Sequence, residues 1–186
     1  CSSAKTMREP LVHFATPQIC AGSDASSFGP DCTDATESGC ACDPQADNPC
    51  TAGPGGTCIY HGVGRGWWCG YDHCVAPGDC GSGSTCLCSG AQPAYLINRC
   101  APSNCRVDSD CGAGSYCSPT VAQPSGYCGF IGATYAGAYC HTANDECTDD
   151  SDCTNGATFE PYDSPACAFD PEANKWTCQS FVCVAG

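Results

Sequence analysis

Twenty-three of the 186 residues are cysteine. That density, about 12%, exceeds the roughly 8–10% at which a short chain reads as a disulfide scaffold. It narrows the possible folds sharply, because little else in the chain could hold a fold together. Leu, Ile, Val and Phe together number 20, and the formal net charge is −14. So small an apolar content at so high a charge does not offset the entropy of ordering the backbone. Cross-links restrict the unfolded ensemble instead, each typically by ~2–4 kcal/mol. The 22 glycines and 14 prolines shape turns between the staples. The expected fold is small and disulfide-rich: tandem loop and short β-hairpin modules, elongated, with little or no helix.

The thiols read as bridges rather than metal ligands. No C-x-x-C occurs, so zinc ribbons, zinc knuckles and thioredoxin-like pairs lack their usual signature. Bridges in this number persist in an oxidising compartment, which points to an extracellular location. Twenty acidic residues against six basic ones oppose binding to nucleic acid. No apolar run approaches the length of a membrane-spanning helix.

The cysteine spacing repeats. Cys42, Cys50, Cys58, Cys69 and Cys74 form one unit, and Cys74, Cys80, Cys86, Cys100 and Cys105 the next. Cys105, Cys111, Cys117 and Cys128 form a third, and Cys147, Cys153, Cys167, Cys178 and Cys183 a fourth. Starts at 42, 74 and 105 give a period near 31 residues, in the range of tandem arrays. The filler repeats too: Pro77-Gly78-Asp79-Cys80, Asp108-Ser109-Asp110-Cys111 and Asp150-Ser151-Asp152-Cys153 each place Asp before the second cysteine. These boundaries suggest an N-terminal tether (1–19), a cysteine-containing cap (20–41) and four repeats (42–73, 74–104, 105–146 with an insertion, and 147–186). Cys20, Cys32, Cys40, Cys88 and Cys140 fall outside the template and are expected to pair among themselves or with Cys183.

C-x5-C-x5-C with D-x-D before the second cysteine, as from Cys105 to Cys117, resembles the cysteine-rich N-terminal domain of Dickkopf proteins. It is also similar to the core of whey-acidic-protein modules, although this chain lacks their adjacent Cys-Cys pair. The resemblance implies that the first and third cysteines of a unit pair: Cys74 with Cys86, and Cys105 with Cys117. Cys80 and Cys111 would then reach later cysteines, and Cys147 and Cys153 would open the fourth unit in the same way. Cys1, followed by Ser2, Ser3, Ala4 and Lys5, resembles the mature end of a bacterial lipoprotein. That resemblance implies acylation of Cys1 and attachment by lipid alone, at the outer-membrane or cell surface. An odd cysteine count agrees with it, as it does with one intermolecular bridge.

Short extended runs at Thr57–Tyr60, Trp67–Cys69 and Lys175–Cys178 read as hairpin strands, the last preceded by a turn at Asn174. Chemistry is sparse. His13, His61, His73 and His141 accompany no recognised catalytic motif. Asp72 beside His73 suits a polar loop better than a base and its orienter. Asp149, Asp150 and Asp152 offer oxygens suited to calcium, the one cofactor the sequence suggests, but no EF-hand spacing accompanies them. Trp67 and Trp68, adjacent on a strand, should face opposite sides, one inward and one toward a partner. The leading expectation is therefore a non-catalytic, exported, lipid-anchored surface protein that binds a protein partner or an envelope assembly. A second is a secreted serine-protease inhibitor presenting loop 91–99, with Leu96 or Arg99 as the specificity residue. A third is a calcium-binding adhesion module.

Overall fold

A computed structural model describes residues 8–20, 32, 36–47, 49–53, 56–60, 66–89, 97–122, 134–153 and 164–181. Eight short strands form four separate two-stranded sheets. They are β1 (Thr57–Tyr60) with β2 (Trp67–Gly70), and β3 (Ser84–Leu87) with β4 (Arg99–Pro102). The others are β5 (Tyr116–Ala122) with β6 (Thr134–His141), and β7 (Ser164–Asp170) with β8 (Lys175–Phe181). The only helical pieces among the described residues are single 3-10 turns at Pro77–Asp79, Asp108–Cys111 and Asp150–Cys153. The chain packs as two units, Gln18–Cys100 and Cys1–Pro17 with Ala101–Gly186. The first holds the first two hairpin modules and the second holds the last two.

One wiring rule builds every module. The first cysteine bonds the third: Cys42–Cys58, Cys74–Cys86, Cys105–Cys117 and Cys147–Cys167. The second bonds the fourth: Cys50–Cys69, Cys80–Cys100, Cys111–Cys140 and Cys153–Cys178. The third and fourth cysteines face each other across the hairpin, as Cys58↔Cys69, Cys117↔Cys140 and Cys167↔Cys178. They do not bond each other. Each reaches back to the loop before the hairpin, so two bridges pin that loop onto the base of the two strands. Three sulfurs from the two bridges of each module lie within 4.8 Å of one another. Such a cluster has metal-site dimensions, but its sulfurs are already bonded in pairs.

This wiring corrects one expectation. The fourth cysteine of the third module is Cys140, not Cys128, which lies outside the described residues. Cys20–Cys88 and Cys32–Cys40 are the two bridges added to the repeat pattern among the described residues. Cys86 and Cys88 stand two residues apart at the end of β3 and so lie on one side of an extended chain. Their partners are thereby brought together, and Cys20 Sγ packs 3.5 Å from Cys86 Sγ.

A second rule concerns how the chain enters each module. The residue before the first cysteine donates its N–H to the carbonyl of the residue two before the fourth. His73 does so to Asn98 (2.8 Å), Asn104 to Ala138 (3.1 Å) and Glu146 to Trp176 (2.9 Å). In the first module Ala41 forms an antiparallel bridge with Trp68, and Cys69 donates to the carbonyl of Cys40 (2.7 Å). Each hairpin thus gains a short third rung of chain along its second strand. In the third module this approach requires glycine: a Cβ on Gly137 would stand 2.4 Å from the carbonyl oxygen of Pro102.

Cystines make up much of the interior. Cys40, Cys69, Cys74, Cys86 and Cys117 are fully buried, and Leu87 is the one aliphatic side chain among the largest fully buried residues. Aromatics fill the remaining space. In the first module Tyr71 packs with Cys50 and Cys69 and donates its hydroxyl to the carbonyl of Gly39 (2.7 Å). Across the last two hairpins Tyr139 stacks on Phe169, and His141 on Trp176, each pair with centroids 3.9 Å apart. The β7–β8 turn closes with Asn174 at φ 50°, while Asp170 Oδ1 accepts the N–H groups of Glu172 and Ala173.

Candidate functional site

The carboxylates that caught attention in the sequence have backbone partners. In three modules the Asp before the second cysteine reaches back over its 3-10 turn and accepts two successive N–H groups. Asp79 takes those of Val75 and Ala76, Asp110 those of Arg106 and Val107, and Asp152 those of Thr148 and Asp149, all at 2.7–3.1 Å. The Asp at the start of the D-S-D turn points the other way. Asp108 Oδ1 accepts the N–H of Cys117, and Asp150 Oδ1 that of Cys167, each at 2.9 Å. The repeated D-x-D is therefore a clamp: one carboxylate closes the turn and the other ties it to the third cysteine. Pro77 replaces the first Asp in the second module and leaves only the closing contact.

These bonds also locate the suggested calcium ligands. Asp149 Oδ1 accepts the N–H of Leu11 (2.8 Å), and its other oxygen pairs with Arg8 (2.7 Å). Asp152 pairs with the same guanidinium at 2.9 Å. A protein cation thus sits against two of the three carboxylates. The N–H of Thr148, then that of Asp149 and Arg8, hold the Asp152 carboxyl below its ordinary range against the opposing effect of burial. A depressed folded pKa means stability that is present above the unfolded value near 3.8 and lost as pH falls through the folded one. Thermal melts between pH 5 and 2 are expected to show this loss, and Asp152→Asn to flatten that part of the profile.

The four histidines divide. His61 lies outside the described residues. His73 acts through its backbone, while Asp72, 4% exposed, accepts the N–H of Asn98 (2.7 Å). Burial pushes the Asp72 carboxyl above its ordinary range, against the pull of that bond. Asn98, fully buried, also accepts the N–H of Ser89 through Oδ1 (2.6 Å). His141 and Asp145 are 1% and 3% exposed, with Nδ1 and Oδ2 3.0 Å apart. Asp145 accepts as well from Thr142 N (2.8 Å), Thr142 Oγ1 (3.2 Å) and Trp176 N (3.3 Å). Asp72 and Asp145 occupy the same place, two residues before the first cysteine of their modules. Each accepts the N–H of the residue two before the fourth cysteine. They are equivalent repeat positions.

His13 is held differently. Its Nδ1 lies 2.7 Å from Asp108 Oδ2 and its Nε2 2.8 Å from Glu9 Oε1, with Tyr116 edge-on to the ring. Phe14 donates its N–H to the carbonyl of Cys117 (2.8 Å) and accepts that of Asp108 (2.9 Å). Residues 8–14, inside the stretch read from sequence as a tether, thus lie against the third and fourth modules.

The aromatic candidates separate as strand alternation requires: Trp68 is 5% exposed and Trp67 41%. Leu11, Val12 and Ile19 are exposed as well, at 84%, 50% and 72%. Arg99 lies half-buried at the start of β4, and Leu96 and Cys1 lie outside the described residues. No protein-family model, curated protein or solved structure matches the chain. The protein stands as a disulfide-bonded, cysteine-rich small-module protein. Ten bridges among the described residues fit an oxidising, extracellular-type environment. No helix among those residues is long and apolar enough to cross a membrane.

Sequence reasoning missed the N-terminal contacts and the Asp72 and Asp145 positions. The latter were legible: D-x-C opens both the second and the fourth module.

Proposed function

We propose that this is an exported, non-catalytic surface protein whose stapled modules present side chains to a protein partner or to an envelope assembly. The observation that carries the reading is the exposure of large apolar side chains in a chain that has very few. Leu11, Ile19 and Trp67 face solvent although the interior is short of apolar residues. Tryptophan is among the residues enriched where binding energy concentrates, and Trp67 is 41% exposed. The polar residues suited to catalysis support the same view, since Asp72, Asp108, Asp145 and Asp150 are engaged with backbone N–H groups. In this reading Cys1 carries a lipid anchor or an intermolecular bridge.

Photo-crosslinking on intact cells of the source tests the reading, with a benzophenone side chain replacing Trp67, Leu11 or Ile19 in turn. A discrete adduct from at least one position, on protein reachable by a membrane-impermeant label, is expected. Protein shielded from the label, or adducts from none of the three, overturns it. Mass analysis of the same material reads the anchor directly, as acyl mass on Cys1.

A further inference from the structure

We propose that His13 is a pH-released latch: as an imidazolium it holds residues 8–14 on the third and fourth modules, and on losing its proton it loosens that segment.

Both ring nitrogens face carboxylate oxygens, at 2.7 Å from Asp108 and 2.8 Å from Glu9. Only the imidazolium donates from both nitrogens. A neutral ring has one N–H and one lone pair, so one of the two contacts becomes acceptor against acceptor. Asp108 cannot readily turn aside, because its Oδ1 is fixed by the N–H of Cys117 (2.9 Å). Glu9 is 63% exposed and free to swing out. Deprotonation therefore costs the Glu9 contact and removes the charge from the Asp108 bond. A charge-assisted hydrogen bond is roughly twice as strong as a neutral one.

The groups facing the ring come from every element packed on it: Glu9 on its own segment, Asp108 on the 3-10 turn, and Tyr116 on β5. Farther along the segment Arg8 pairs with Asp149 and Asp152. Among the described residues the other hydrogen bonds of the segment are the N–H of Leu11 on Asp149 and the two backbone bonds of Phe14 to Cys117 and Asp108, and Pro10 and Phe14 are buried. No bridge lies within residues 8–14, so the segment opens without breaking a covalent bond. Burial works against the charge on His13, yet the bonds to Asp108 and Glu9 outweigh it and raise its pKa above the ordinary value. A raised folded pKa gives stabilisation that is fully present below the unfolded value of about 6.5. That stabilisation is lost as pH rises through the folded pKa, so the latch is closed in mild acid and loosens toward alkaline pH. Opening uncovers Phe14, 7% exposed when docked, and the outer edge of β5 at Cys117.

The test is a pH series on the intact protein by NMR, following the His13 ring and the exchange of the Phe14 amide between pH 5 and 9. The ring is expected to titrate above the ordinary histidine value. Phe14 protection, corrected for intrinsic exchange, should fall by about tenfold for each unit of that displacement. His13→Gln should give low protection at every pH. The Cys167 amide, bonded to Asp150 in the fourth module, should stay protected throughout. A His13 ring that titrates at its ordinary value overturns the proposal, as does Phe14 protection that ignores pH. Parallel loss at Cys167 also overturns it, since the event would then be global unfolding.

Discussion

Reduction of the bridges without any denaturant is expected to unfold the whole chain. After treatment with a dithiol and alkylation, the near-ultraviolet signal of the buried Trp68, Trp176 and Tyr71 should vanish and the far-ultraviolet spectrum become that of a coil. The reason lies in what is buried: among the described residues, removing the cystines leaves Leu87, a few alanines, scattered aromatics and one small ring cluster around Trp176, too little apolar core to hold four separate two-stranded sheets. A lone hairpin is marginal in water at best. Single bridges give the graded version. Cys105–Cys117 spans 12 residues and Cys111–Cys140 spans 29. Chain entropy assigns loops of these lengths about 3 and 3.5 kcal/mol. Replacing both partners by Ala in either pair should therefore cost an appreciable share of the ~5–15 kcal/mol by which domains are stable. The longer loop should cost slightly more in chemical denaturation of otherwise oxidised protein. A reduced chain that kept its near-ultraviolet spectrum would mean that apolar packing suffices after all.

Asp145→Ala is expected to be the most damaging substitution that leaves every bridge intact. Asp145 accepts from His141, from the backbone and hydroxyl of Thr142, and from the backbone of Trp176. It thereby joins the end of β6 to β8, where His141 stacks on Trp176 and the indole N–H of Trp176 reaches the carbonyl of Cys140 (3.2 Å). Alanine strips these donors of their acceptor at a site 3% exposed. The Thr142 donors are exposed and can turn to water, whereas His141 and Trp176 are buried, and each buried donor left unsatisfied costs about 1–3 kcal/mol. A loss of that size in guanidinium unfolding, with altered tryptophan fluorescence, is the expected result. A loss below about 1 kcal/mol would show that water replaces the carboxylate there. Asp72→Ala tests the same repeat position in the second module and should cost less, since Asp72 accepts the N–H of Asn98 where Asp145 serves four donors.

Much of the architecture was written in the cysteine spacing. The C-x5-C-x5-C runs at Cys74 and Cys105 mark the loop that two bridges pin, and the tetrapeptide Thr57–Tyr60 and the Trp67-Trp68 pair mark a hairpin. Spacing failed at Cys140. Cys128 sits at the favoured distance from Cys117, yet bonding depends on which residues face each other at the hairpin base, not on chain length between them. The clamp role of Asp110 and Asp152 was half visible: turn chemistry suggested a local bond, but the reach of the first Asp of each turn, Asp108 or Asp150, to Cys117 or Cys167 requires the folded register. The contacts of residues 8–14 were not legible. They rest on single charges and backbone groups, Arg8, His13 and Phe14, which leave no periodic trace.

The facing of third and fourth cysteines has a consequence for tolerance of change. They stand 11 positions apart in the first and fourth modules, 14 in the second and 23 in the third, with the same bridges each time. Doubling the length of a flexible connection adds only about 0.6 kcal/mol of closure entropy. Foreign peptides grafted between Ala122 and Thr134, past the paired part of β5 and β6, should therefore ride on an unchanged base, making the scaffold a natural carrier for inserted epitopes.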